Sequence, residues 1–291
     1  MVLSDFLIWS SLFLVVLGFS LYLYFSFFSK LFFQKKTKTT PERASTFGDF
    51  INGLTGPIFA LSSLLIIYAT IIDQNKINNI QNFENLFFKQ LDYNRDNNLQ
   101  ISIKSPKSCE EISGDAVWVS FYSQLKKAYS IIDADSTLSK LPTNKKIDLS
   151  FATFFYGISK LDTARLYLHF DKLDLTEKSK SSYVSNLKLA PHCEEQTTYF
   201  VGHGSKLGAF LKQYFSFINY IDKQKFLSKV QKQEYIEMLT AQNDNFCQLI
   251  IYYYLQSSFQ ESYENALTNK YNLFPKIDES LFFHIKNSIK E

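Results

Sequence analysis

Sulfur and helix-breaking residues are scarce in this chain, which has 3 Cys, 2 Met, 6 Pro and 9 Gly among 291 residues. Cys109, Cys193 and Cys247 lie far apart without any Cys-x-x-Cys spacing. That argues against a zinc finger and against a disulfide framework, and by itself it suits a reducing compartment. Charge of either sign is also in short supply. The 31 basic and 28 acidic residues are interspersed and leave a net charge of +3, so no long-range field draws the chain to nucleic acid, and no such partner is predicted. The sequence has no glycine-rich phosphate loop with its lysine, no His-Glu-x-x-His helix and no Gly-x-Ser-x-Gly elbow. No cofactor is implied, and no internal repeat is found.

Aromatics and apolar runs are abundant, with 29 Phe and 18 Tyr. From Phe6 to Phe28 no residue is charged, and at about 1.5 Å per residue this run covers a hydrocarbon core of roughly 30 Å. Met1 to Asp5 carries no Lys or Arg, and the run exceeds a signal-peptide core, so a retained anchor is expected. A second uncharged run extends from Leu54 to Ile72, with Pro57 placed in its first helical turn. The two runs predict a transmembrane hairpin over residues 1–73, with spans at about 6–28 and 54–72, followed by a soluble domain over 74–291. The connecting loop holds Lys30, Lys35, Lys36, Lys38 and Arg43, which places it in the cytoplasm by the positive-inside rule and the later domain outside. That placement conflicts with the cysteine argument.

Beyond the anchor, Ile77, Ile80, Phe83, Leu86, Phe87 and Leu91 continue the second helix as an amphipathic stalk. Trp118, Phe121, Tyr122, Leu125, Tyr129 and Ile132 share one face of a further helix. Residues 136–146 read as a loop, 149–161 as a buried helix, and 172–188 as a polar surface excursion. Phe210 to Ile221 trace an apolar face that packs on a long helix from Ile236 to Tyr253, with Asn243 interrupting its seam. Lys212 and Asn243 read as solvated edges, with the alternative that either sets helix register or binds a partner, and Leu281 to Ile289 closes the domain as a last amphipathic stretch. The fold class is therefore all-α: a two-helix transmembrane hairpin and a mainly helical soluble domain.

The segment Gly202-His203-Gly204-Ser205-Lys206-Leu207-Gly208, with Phe210, Lys212 and Phe215 after it and Tyr220-Ile221-Asp222 at its end, resembles the phage abortive infection protein family of bacterial defence proteins. Phe47-Gly48-Asp49-Phe50, residues 114–129, the block Phe154 to Ile158, and Tyr235, Leu239, Ala241 and Gln242 are similar to other parts of that family's pattern. Ala209, Lys212, Gln213, Thr240 and Cys247 stand where the family places His, Arg, His, Arg and Glu, so chemistry built on those groups is not expected here. The resemblance implies a two-pass bacterial inner-membrane protein acting in phage defence as an effector or sensor, by membrane disruption or signalling. Its implied partners are the lipid bilayer, a phage-derived protein or other infection signal, and further copies of itself. Because phage products accumulate inside the cell, family logic leans the domain toward the cytoplasm, and that side is slightly favoured over the one the basic loop indicates.

The candidate binding positions are Gly202, His203, Ser205, Leu207, Gly208, Lys212 and Gln242. His203 between two glycines reads either as a loop anchor or as a sensing or catalytic imidazole beside a helix N-terminus that favours an anion near Ser205. Ser205 reads equally as the N-cap of a helix beginning near Leu207. His192, Cys193 and His203, with Glu194 or His284 as a fourth group, match no common zinc spacing, and no metal is expected. Two alternatives stand beside the defence reading: a membrane-anchored hydrolase or nuclease using His203 and Ser205, and a membrane scaffold with no defence role.

Overall fold

A computed structural model describes residues 3–28, 40–159, 163–173, 175–274 and 277–284. The basic positions Lys30, Lys35, Lys36 and Lys38 and the end of the expected C-terminal stretch lie outside them. The chain is about 75% helical and forms two compact units, Met1–Asn85 and Leu86–Glu291.

In the first unit, α1 (Leu3–Phe28) runs antiparallel to the first part of α2 (Pro41–Gln100). The contacts sum to a nearly constant position: Ser11 meets Ser62, Gly18 takes the ring of Phe59, and Phe25 meets Phe50. The hydroxyls of Ser11 and Ser62 bond at 2.7 Å and each also reaches the other's carbonyl at 3.1 Å. Ser20, Ser63 and Thr70 turn back onto the carbonyls of Val16, Phe59 and Ile66, so these polar groups are satisfied within apolar helices. Phe13, Val16, Phe19, Leu64, Ile67 and Tyr68 point outward, and both helices are long and apolar enough to cross a membrane. Pro57 does not open a helix, as its position suggested. It sits inside α2, which starts at Pro41, and its ring removes one ladder hydrogen bond that membrane helices tolerate.

The second unit is built around α3 (Asp115–Ala134), whose Val117, Phe121, Leu125, Ala128 and Ile132 are wholly buried. Burying a side chain such as Phe121 contributes about 2–3 kcal/mol. A two-stranded antiparallel ribbon, β1 (Ser102–Lys104) and β2 (Glu111–Ser113), pairs Ile103 with Ile112 ahead of α3. Leu149 and Ala152 of α4 (Thr143–Tyr156), Leu166 and Phe170 of α5 (Thr163–Lys172), and Tyr183 and Leu187 of α6 (Glu177–Lys188) join Ala128 and Ile132 in one core cluster. The expected loop at 136–146 thus contains the start of α4, and the expected surface excursion contributes α6 to the core. Tyr183, Val184 and Leu187 at helical spacing carry that burial within an otherwise polar stretch.

Asp148 of α4 ties neighbouring segments together. It accepts from His169 Nε2 (2.9 Å) and from the Ser258 backbone N–H (2.7 Å). Burial pushes its carboxyl up, but these hydrogen bonds more than offset that and hold it below the ordinary carboxylate value. The long helix expected from Ile236 to Tyr253 is two: α8 (Lys229–Thr240), started by a Ser228/Gln231 capping box, and α9 (Asn245–Leu255), capped by Asp244. The side chain of Asp244 accepts the Cys247 N–H, a stronger local signal than the continuing apolar period. Both follow α7 (Gly204–Asp222), and α10 (Ser262–Lys270) comes after them. The last turns of α2 belong to this unit: Phe87 is fully buried, its ring 5.3 Å from that of Phe217 and 4.9 Å from that of Tyr235.

Candidate functional site

The Gly-His segment is a backbone junction. The end of α4 and the start of α7 pair antiparallel, with Ile158 N–H donating to Phe200 O and His203 N–H to Phe155 O, both at 3.0 Å. Gly157 and Gly202 face each other there with φ of 75° and 79°, a region that favours glycine. A Cβ on Gly157 would lie 2.7 Å from Phe200 O, and one on Gly202 would press on the Tyr156 carbonyl. Gly204 lies against the Phe155 ring, where a Cβ would come within 2.8 Å of it. These glycines let two chains touch backbone to backbone.

His203 is the residue before α7, but its side chain makes no cap. The ring is buried between Phe121 and Phe154, with centroids 4.4 and 5.3 Å away, and Nε2–H donates to Gln124 Oε1 at 3.0 Å. Gln124 is itself 1% exposed. Burial, helped by the nearby Lys206 ammonium, pushes the imidazole pKa down to about 3. The imidazole is therefore neutral in the folded protein at any physiological pH.

The linkage has a definite sign. The unfolded imidazole takes up a proton near pH 6.5 and the folded one does not until about pH 3, so this contribution is complete above pH 6.5 and falls as the pH is lowered between those values. At pH 5 the loss is about 2 kcal/mol from this residue alone. Chemical unfolding of the wild type and of His203→Gln at pH 7 and pH 5 is expected to show the variant with a shallower pH slope by about that amount; equal slopes would place the ring in contact with water.

Leu207 is buried and its N–H makes the first α7 hydrogen bond to His203 O, while Gly208 packs loosely under the Phe155 ring. Ser205 is exposed in the first turn of α7, one residue inside the helix, so it is not the N-cap. The ammonium of Lys206 donates to the Ser102 carbonyl. Lys212 is exposed, as a solvated edge would be.

Gln242 stands apart from this junction, in the turn between α8 and α9, where it borders a buried amide seam. Asn98 Nδ2 of α2 donates to Asn243 Oδ1 (3.2 Å), and Asn97 Nδ2 to Gln213 Oε1 (3.0 Å). Asn243 is 5% exposed and its side-chain oxygen accepts from Asn98, so it is not a solvated edge. Burial raises the Tyr214 phenol far above its usual value. Asn94 Nδ2, Asn98 Oδ1, Gln242 Oε1 and Asn243 Nδ2 find no protein partner. Such amides fix register between helices at a cost in stability.

Cys109 and Cys193 form a disulfide across 84 positions, which overturns the reading of the cysteines as reduced and removes Cys193 from any zinc set. Sequence spacing missed it because the ribbon turn and the loop after α6 meet only in the fold. Cys193 N–H donates to Pro106 O (2.9 Å), and Gln196 Nε2 donates to the carbonyls of Lys104 and Ser105 at 3.3 Å. Cys247 is free but buried, and burial beside Asp244 and Asp115 raises its thiol pKa, so it is chemically quiet. Gln124 and Gly157 were also missed; the run Phe154-Phe155-Tyr156-Gly157, ending a buried helix in glycine, carried the signal for the second. Compared with family models, curated proteins and solved structures, the chain matches none of them.

Proposed function

We propose that this chain is a two-pass bacterial inner-membrane protein whose helical domain acts in phage defence as a non-enzymatic sensor or effector. The observation that carries the reading is α2, a single helix that supplies both the apolar stretch 54–72 and buried core positions of the domain such as Phe87. A signal bound by the domain has a covalent route to the anchor, and the expected consequence is membrane disruption or signalling, alone or as an oligomer. The defence role itself rests on the sequence resemblance.

The disulfide and the basic residues between the two apolar helices both favour a domain outside the cytoplasm, and we adopt that side in preference to the cytoplasmic one. Against the hydrolase reading stand a histidine that is buried, neutral and bonded to Gln124, and a serine that is exposed. Phage plating on cells with the protein, without it and with Ser205→Ala tests these alternatives. Protection by both wild type and S205A is expected. Loss of protection by a folded S205A would favour the enzyme, and equal plating with and without the protein would favour a scaffold. An intact membrane potential in protected, infected cells would remove membrane disruption.

A further inference from the structure

The geometry points to an anion-binding pocket on the exposed side of α3 that takes a small phosphate-bearing ligand of nucleotide or lipid-headgroup size. A cavity of about 560 Å³ opens between α3 and the two disulfide-joined loops. Lys126 and Lys127 project from α3, Lys107 from the ribbon turn and His192 from the loop after α6, and no carboxylate lines the space. Among the described residues none of these three lysines forms an ion pair, whereas Lys104 close by is matched with Glu195. The Lys126 ammonium lies 5.9 Å from the centre of the Tyr122 ring at the rim, and an anion in the concavity gains from the positive charge of all three lysines that line it.

The rest of the lining suits an anion with a polar or ring substituent. His192 Nδ1–H donates to the Ala190 carbonyl (2.9 Å), which fixes the ring and leaves Nε2 as its second polar atom. Ser123 and Tyr199 add hydroxyl groups, and the Tyr199 ring supplies an apolar wall. The volume lies within the range of small-molecule sites and the space is concave, which suits a compact ligand better than a macromolecular surface. The loops are preorganised: the disulfide, the Cys193 to Pro106 backbone bond and the Gln196 bonds fix one against the other, so little ordering cost falls on the ligand. This site is independent of the defence reading.

The test uses the full chain in phosphatidylcholine nanodiscs, titrated with inorganic pyrophosphate, adenosine monophosphate and glycerol 3-phosphate. Saturable binding of pyrophosphate is expected, weakened about tenfold for each of Lys107→Ala, Lys126→Ala and Lys127→Ala, largely kept by the Lys→Arg variants, and unchanged by Lys229→Ala, an exposed lysine of α8 that does not line the cavity. Competition by phosphatidylglycerol in the nanodisc, together with glycerol 3-phosphate binding, would identify a lipid headgroup as the source. Binding of adenosine monophosphate without lipid competition would identify a free phosphate ester. No saturable binding, or the same affinity in all the lysine variants, would overturn the site.

Discussion

Gly202→Ala is expected to lose roughly 3–5 kcal/mol, enough to unfold much of a domain whose whole stability is of order 5–15 kcal/mol. Two costs add. An alanine at φ 79° is held in a conformation that a side chain disfavours, and its methyl would press on the Tyr156 carbonyl at a backbone contact that cannot yield. Gly157→Ala meets the same junction from the other chain and should behave alike, with its Cβ 2.7 Å from Phe200 O. Gly208 provides the contrast within the same motif. It lies in the interior of α7, where an added Cβ would meet only the Phe155 ring at 3.7 Å, so Gly208→Ala should be neutral or stabilise by up to about 1 kcal/mol. Urea unfolding of the three variants, followed by circular dichroism in detergent, decides the matter. Equal effects at 202 and 208 would remove the backbone junction as the reason for the motif.

The second large effect belongs to the disulfide. Joining positions 84 apart restricts the unfolded chain, and the chain-entropy argument gives about 4.5 kcal/mol for a loop of this length. The double variant Cys109→Ser/Cys193→Ser is therefore expected to lose about that much stability, as is the wild type after reduction, while Cys247→Ala shows no redox dependence beyond that of the wild type. The local meeting of the loops should persist in part, because the Cys193 N–H to Pro106 O bond does not need the sulfurs. Cys109 also sits at φ 60°, uncommon for a residue with a side chain, in a turn closed by its own N–H to Ser105 O at 3.0 Å. A midpoint of urea unfolding that ignores reductant would contradict this estimate.

The helices were the legible part of the sequence. The spacing Trp118, Phe121, Tyr122, Leu125, Tyr129 and Ile132 reports α3 directly because one wide apolar face is buried, and the two uncharged runs report helices of membrane length because they are apolar on every side. Legibility failed where a local polar device outranked the period. Asp244 starts a new helix in the middle of an apolar series, and three buried residues place α6 in the core although most of that stretch is polar. Helix starts shifted for a related reason: α7 begins at Gly204, before its first core residue Leu207, since the preceding glycine junction sets the chain direction.

The site was legible as a set of residues but not as an arrangement. Gly202, His203 and Gly204 mark a real structural feature, yet their meaning depends on Gly157, Gln124 and Phe154, which sequence distance hides. Ser205, Lys212 and Gln242 do not converge with His203: the first two are exposed and the third borders the amide seam. The disulfide was the least legible contact, because an odd number of widely separated cysteines shows no pairing until the ribbon and the loop after α6 are brought together.

Thiol accounting in living cells tests the proposed topology, in which a two-pass anchor holds the disulfide-tied domain outside the cytoplasm. Cells are quenched in acid, the protein is denatured and alkylated with a mass-tagged maleimide, and a parallel sample is reduced first. The account expects a single reactive thiol, Cys247, before reduction and all three after it, with the oxidised pair absent in cells that lack their extracytoplasmic thiol oxidant. Three reactive thiols before reduction in normal cells would contradict it and return the domain to the cytoplasm.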